Sequence, residues 1–447
     1  MKRIWIVCGL LLATTGVASA AKVPAFPGAE GFGAGASGGR GGAVYTVTNL
    51  NDDGPGSLRD AVSAGGRTIV FAVSGTIGLK SRLTVDQPNL TIAGQTAPGD
   101  GITLRGHELF IKDTRNVIVR FLRVRPGDEA KREMDAVTVW GSQDVMLDHC
   151  SMSWSTDSLN DVVKESGNVT VQWCLLAEPL TNSVHSKGRH GYATGWDGRT
   201  RGGMTAHHNL IAHAASRAPR IGYFKTGRGL IDCRNNVIYN SGASYGGETD
   251  DLNYVANYYR PGPDSAKVRT AGELFAVWSD DTRMHASGNV VEGSPAVARG
   301  NADAIAFKQG KNADGTPRQG NRQDCLVDKP FAVPPVVTQP AGQAYDLVLR
   351  FAGAGVPKRD AVDERVLSEV KNRTGRHIDS PNDVGGYPEL KSSPAPLDSD
   401  ADGMPDDWER SNGLNPADPR DGATDGGSGK YTNLERYLNE LVVAAYP

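Results

Sequence analysis

Asp135, Asp157 and Asp161 are three carboxylates spread over twenty-six positions, with Asp148-His149 between them. On a chain that coils back on itself at about that period they would stand side by side. Three hard oxygen donors in such a group suit Ca²⁺, which accepts flexible carboxylate geometry and keeps positions open for a ligand. Cations follow. Lys187 lies in a loop with His185 and His190, and Arg217-Ala218-Pro219-Arg220 comes a few residues after His207-His208-Asn209. Cations near a bound metal repel it unless an anion intervenes, so the set points to an acidic substrate bridged between metal and guanidinium. Singly, each residue has a blander reading, since Asp is an ordinary turn residue and an isolated Arg is usually solvated.

What must position these groups is a fold of short strands. From about Thr68 the chain runs through β-like segments parted by Gly, Asn and Asp turns: Thr68–Val73, Leu90–Ala93, Ile102–Leu104, Val117–Val124, Ala136–Trp140, Val145–Leu147 and Val169–Trp173. Asn209, Asn236, Asn257 and Asn289 each precede a bulky apolar pair, at spacings of 27, 21 and 32 residues. Cys150 and Cys174 are a further pair, 24 apart. These intervals fit one solenoid coil with variable insertions. Coils stacked about 4.8 Å apart would align the Asn side chains into a ladder, and Asn tolerates the left-handed turn. The expected fold class is therefore all-β, a parallel β-helix. Ser57-Leu58-Arg59-Asp60-Ala61-Val62 opens like a capping box and would lid the first coil. Val362, Val366, Leu367 and Val370 fall at helical spacing within Ala361–Asn372.

Residues 392–397, rich in Ser and Pro, read as a linker. They separate a main domain over residues 21–391 from an appendage over residues 398–447. Asp398-x-Asp400-x-Asp402-Gly403-x5-Glu409 matches the twelve-residue calcium loop, with Asp406 at the ninth position. A helix starting at Thr432-Asn433-Leu434-Glu435 would place Leu434, Leu438 and Leu441 on one face. The expected role of this module is structural, locking the C-terminus to the main domain.

The 447 residues carry 55 glycines and 25 prolines, too many turns for a helical bundle. The net charge of −3 gives no global basic field, so nucleic acid is not an expected partner. Lys2 and Arg3, the apolar run Ile4–Leu12 and Ala18-Ser19-Ala20 read as a secretory signal over residues 1–20. The mature protein is then secreted, with no membrane span, and is expected to be a monomer. Cys150, Cys174, Cys233 and Cys325 have no CxxC spacing and read as buried thiols.

The segments Ala25-Phe26-Pro27-Gly28-Ala29-Glu30-Gly31-Phe32-Gly33, Asp148-His149-Cys150-Ser151 and Arg217-Ala218-Pro219-Arg220 resemble the pectate lyases of polysaccharide lyase family one, over about Ala25 to Asn289. The resemblance implies a right-handed, single-stranded parallel β-helix. It implies calcium-dependent β-elimination of α-1,4-polygalacturonate, giving 4,5-unsaturated products. Carried over by position, Asp135, Asp157 and Asp161 hold the catalytic calcium and Arg217 is the base. Lys187, Arg220 and His185 contact substrate. Where many members have a second substrate arginine this chain has Gly222, and Arg220 or Lys225 is expected to take its place. An arginine base implies an alkaline optimum, because the free guanidinium loses its proton only above about pH 12.

Other readings remain open at this stage. A β-helix hydrolase would need two carboxylates flanking the bond, a role Asp157 and Asp161 can mimic. A pectin lyase would lack the calcium aspartates. A non-catalytic, calcium-stabilised polysaccharide-binding protein would have no use for Arg217.

Overall fold

The computed structural model describes residues 23–446, apart from 198–201, 223–227, 247–249, 280, 296, 298–299, 312–316, 320–324 and 428. The expected signal at 1–20 and Lys225 lie outside the described residues.

Each coil gives one short strand to each of three parallel sheets, of ten, nine and nine strands. The first runs from Ala43–Val47 to Arg283–Ser287. Inward-facing apolar residues such as Val145, Leu147, Val169, Val171, Leu159 and Val162 join one continuous core down the axis. The helix Leu58–Ala61 (α1) closes one end, with Ser57 capping it from Asp60 N and Leu58, Ala61 and Val62 buried. Among the described residues no helix is long and apolar enough to cross a membrane.

The tight turn between the first and second strands of each coil carries the ladder. Asn209 donates to Asn236, Asn236 to Asn257, Asn257 to Asn289 and Asn289 to Asn301, at 2.8–3.0 Å. The left-handed residue is the one before the ladder Asn: His208, Asn235, Ala256 and Gly288 all have positive φ. The ladder Asn is therefore placed by its side-chain bonds, not by backbone tolerance. Cys174 stands in the same column, its N–H bonded to Asn209 Oδ1. Cys150, Cys174 and Cys233 are free thiols, and all four described cysteines are buried. The run Val117–Val124 is split by such a turn at Phe121, leaving strands Arg115–Arg120 and Arg123–Arg125.

Three outer layers cover the coils. The N-terminal segment crosses the ten-stranded sheet, where Gly31 and Gly33 lie against Thr205 and Thr170. A Cβ at Gly31 would sit 2.5 Å from Thr205 Cβ, and φ there is +75°. Helices α2 (Ala341–Phe351) and α3 (Ala361–Asn372) pack Val348, Val366 and Val370 on Trp173, Leu175 and Val237. The third layer is the C-terminal module, with helices α4 (Asp406–Asn412) and α5 (Asn433–Glu440). Met404, Leu434 and Leu438 of this module pack on Val70 and Ala93 of the ten-stranded sheet. Leu441, expected on the same face, caps α5 and is 37% exposed.

Candidate active site

Five strands of one nine-stranded sheet carry the site: β1 (Leu109–Lys112), β2 (Val137–Trp140), β3 (Ser158–Val163), β4 (Tyr192–Trp196) and β5 (Arg220–Ile221). Their register sets Phe110, Thr138, Asp161, Gly195 and Arg220 in one column. Strands in a sheet are about 4.8 Å apart, so Asp161 and Arg220 are two strands apart with only a glycine between them.

The stacking also brings Asp135 and Asp157 to this column. Both lie just before a strand, and the backbone N–H groups of Thr156 and Asp157 donate to Met134 O. Asp135 accepts from Thr138 Oγ1 at 2.6 Å and from Ser158 N at 2.9 Å. Asp135, Asp157 and Asp161 line one groove of about 680 Å³ with Arg82, Phe110 and Trp140. Burial, then the charges of Asp161 and Asp157, push the Asp135 carboxyl well above its usual range. Burial raises Asp161 to about 6; Arg217 opposes that rise and Asp157 adds to it.

Arg217 borders the groove from the loop before β5. Its backbone stands at φ 56°, uncommon for a side-chain-bearing residue, and Thr194 N donates to its carbonyl at 3.0 Å. The guanidinium lies 4.0 Å from the centre of the Tyr192 ring and donates to Ser158 Oγ at 3.3 Å. Arg220 lies 5.9 Å from the Tyr245 ring.

The histidine loop lies differently from its expected placement. His185 is only 5% exposed and stacks on His190, ring centres 3.3 Å apart. The Lys187 N–H donates to His185 Nδ1. A neutral His185 therefore carries its proton on Nε2, which faces Glu133 at 3.4 Å and Asp157 at 3.6 Å. His185 thus sits beside two carboxylates at the acidic end of the groove. Asp157, His185 and His190 form a tight group, but that tautomer leaves the Nε2 of His185 no lone pair for a metal. Lys187 is exposed on the same loop. Asp148 and His149 are fully buried on the ten-stranded sheet, where Asp148 binds Arg120, His149, Gln172 and Tyr446. They are structural and lie outside the groove.

A divalent cation fits the acidic end of the groove. Asp157 Oδ1 and Asp161 Oδ1 are buried without a hydrogen-bond partner among the described residues, and three crowded carboxylates are stable only when protonated or neutralised. Sequence reasoning missed Tyr192, Ser158, Gly195 and Glu133. None of them sits in a chemical motif, and only coil register makes them neighbours of the aspartates.

In the C-terminal module, Asp398, Asp400 and Asp402 form one tight carboxylate group; Asp402, Glu409 and Asp421 form another. Asp406, expected among the ligands, stands outside both groups. It starts α4 and accepts from Ser399 N and Oγ and from Arg410.

A family model described as pectate lyase matches residues 3–250. The probable pectate lyase C of Aspergillus flavus is 35% identical over 434 residues, covering 94% of this chain and 95% of its own. That of Aspergillus terreus is 35% identical over 437 residues, with the same coverage. Among solved structures, a thermostable pectate lyase is similar with a TM-score of 0.52 at 17% identity, over 73% of this chain and 97% of its own. A pectate lyase bound to a hexasaccharide gives 0.51 at 15% identity, over 75% and 99%. These two likenesses concern the fold, a parallel β-helix. Matched by the family model over more than half its length and by curated relatives over nearly all of it, the chain belongs to the pectate lyase family and is a polysaccharide lyase.

Proposed function

We propose that the groove binds a run of polygalacturonate and that Arg217 takes the proton from C5 of one uronate, so that the bond at C4 breaks and a 4,5-unsaturated end is left. The observation that carries this reading is the placement of Arg217: its guanidinium is held on Tyr192 and Ser158 beside the same Asp161 that crowds Asp135 and Asp157. Asp157 and Asp161, with Asp135 beside them, would hold a calcium ion, which when bound neutralises the uronate carboxylate and acidifies its C5 proton.

The remaining roles belong to the chain. Arg220, across the side-chain-free Gly195, pairs with a second carboxylate of the substrate, and Lys187 reaches the groove's rim from its loop. His185, set between Glu133 and Asp157, steadies Asp157. A cationic base works only when deprotonated, and nearby positive charge lowers an arginine's pKa without bringing it to neutrality, so activity rises toward alkaline pH. Secretion suits a substrate too large to enter a cell and agrees with the sequence of residues 1–20.

The deciding experiment follows the ultraviolet absorbance of an unsaturated uronide on polygalacturonate, with and without a calcium chelator. Absorbance growth that the chelator abolishes and calcium restores is expected. New reducing ends without that absorbance would identify a hydrolase and overturn the reading.

A further inference from the structure

A second group of acids stands apart from the groove, on the layer that covers the ten-stranded sheet. Five carboxylates stand there in two tight groups that share Asp402: Asp398, Asp400 and Asp402 from the first loop, and Asp402 with Glu409 from α4 and Asp421 from a separate loop twelve residues after Glu409. Acidic clusters are common at protein surfaces and mean little alone. This one is different because its oxygens are buried and unsatisfied. Glu409 is 0% exposed, and neither of its oxygens has a hydrogen-bond partner among the described residues. Asp402 is 3% exposed with Oδ2 unpartnered; Asp398 Oδ1, both oxygens of Asp400 and Asp421 Oδ1 are unpartnered too. A buried, unpaired carboxylate is strongly destabilising, and five together hold this arrangement only when protonated or neutralised by a counter-charge.

The other oxygens are used to shape the site. Gly403 N donates to Asp398, Met404 N to Asp402 and Asn415 N to Asp421. Each bond leaves the second oxygen of its carboxylate aimed inward. The inward set is seven carboxylate oxygens, which matches the six to eight hard oxygen ligands that Ca²⁺ takes. Softer metals would want nitrogen or sulfur, and the set contains neither.

We propose that these residues form a calcium clasp made from two loops, with Asp421 as a ligand in place of Asp406, and that the bound ion fastens the C-terminal tail to the β-helix. The fastening is traceable. Asp421 O accepts from Asn433 Nδ2, and Asn433 N donates to Thr424 O, so the loop that bears Asp421 holds the start of α5. α5 then sets Leu434 and Leu438 on Val70 and Ala93. Past α5, Tyr446 donates to Asp148 at 2.7 Å and accepts from Arg120 at 2.7 Å, and Ala445 O meets His149. Without the ion, repulsion among the five carboxylates opens the clasp and frees α5 and the tail.

The test uses the full chain and terbium luminescence, with Trp408 inside the module as sensitiser, followed by back-titration with calcium. Asp421→Asn is expected to weaken terbium and calcium binding at this site at least tenfold, as Glu409→Gln does, whereas Asp406→Asn leaves it within threefold. Limited proteolysis in chelator should cut between residues 392 and 446 of the wild-type chain, and calcium should protect it. Wild-type affinity in Asp421→Asn, a loss in Asp406→Asn equal to that in Glu409→Gln, or a tail equally resistant with and without calcium would each overturn the proposal. None of these readouts involves polysaccharide cleavage, so they succeed or fail independently of the groove's chemistry.

Discussion

The guanidinium of Arg217 rests 4.0 Å from the centre of the Tyr192 ring, one strand away from Asp161. The ring attracts the cation through its negative face and holds it over the groove while its N–H groups remain directed at Ser158 and beyond. Tyr192→Phe keeps the ring and is expected to keep activity. Tyr192→Leu removes it and should lower kcat by roughly three- to thirtyfold, with KM moving less. A kcat for Tyr192→Leu equal to wild type would show that the stack does not position the base.

Arg217→Lys should cost roughly 10²–10⁴-fold in kcat, the usual worth of a positioned proton-transfer group. The melting temperature should change little, because Arg217 is only partly buried and lies in a loop. Steady-state rates on polygalacturonate, paired with thermal melts, check both halves. A lysine variant with near-normal rate would point to another base.

Gly195 is the empty position between Asp161 and Arg220. A Cβ there would lie 2.8 Å from Asp161 Oδ1, so Gly195→Ala must displace that carboxylate. The calcium concentration needed for half-maximal activity is expected to rise roughly 10–100-fold, the usual cost of disturbing a ligand's support. Titrating calcium in the activity assay measures it; an unchanged requirement would remove Asp161 from the metal's ligands.

The pH response of the cation-free enzyme follows from Asp161. Its folded pKa is raised from 3.8 to about 6, so across that window the native state holds a proton that the unfolded chain has lost. Stability therefore falls as pH rises through the window, and Asp135 shifts in the same direction. In chelator, Asp161→Asn should melt higher than wild type above about pH 6 and converge with it toward pH 4. Added calcium should reverse the order above pH 6, because only the wild type can exchange the repulsion for a ligand. Melting curves at matched ionic strength test this.

Asn236 sits in mid-ladder, 1% exposed, giving its amide protons to Asn257 Oδ1 and Ala206 O and accepting from Asn209. Asn236→Ala strands partners on both neighbouring coils, each unsatisfied buried group costing about 1–3 kcal/mol. A loss of roughly 2–5 kcal/mol in unfolding free energy is expected. Chemical denaturation measures it.

The order along the chain told much of this. Short alternating strands and an Asn recurring once per coil are local properties, so the solenoid, the Asn column and the free thiols were readable from residue types and intervals. So was the helix Ala361–Asn372, because a 3.6-residue period is carried by the segment itself. The approach of Asp135, Asp157 and Asp161 to one groove, with Arg217 beside Asp161, was also legible, since coil length converts sequence spacing into lateral distance. Tertiary structure decided everything that depends on which atoms face one another. Strand register put Gly195 between Asp161 and Arg220, and a backbone N–H on Nδ1 turned the Nε2 of His185 toward Glu133 and Asp157. Folding of the C-terminal module brought Asp421 beside Asp402 and Glu409 and gave both oxygens of Asp406 to Ser399 and Arg410. Spacing along a chain says which residues can be neighbours; the direction of a carboxylate is set by the hydrogen bonds that occupy its other oxygen, and those form only when distant segments have packed.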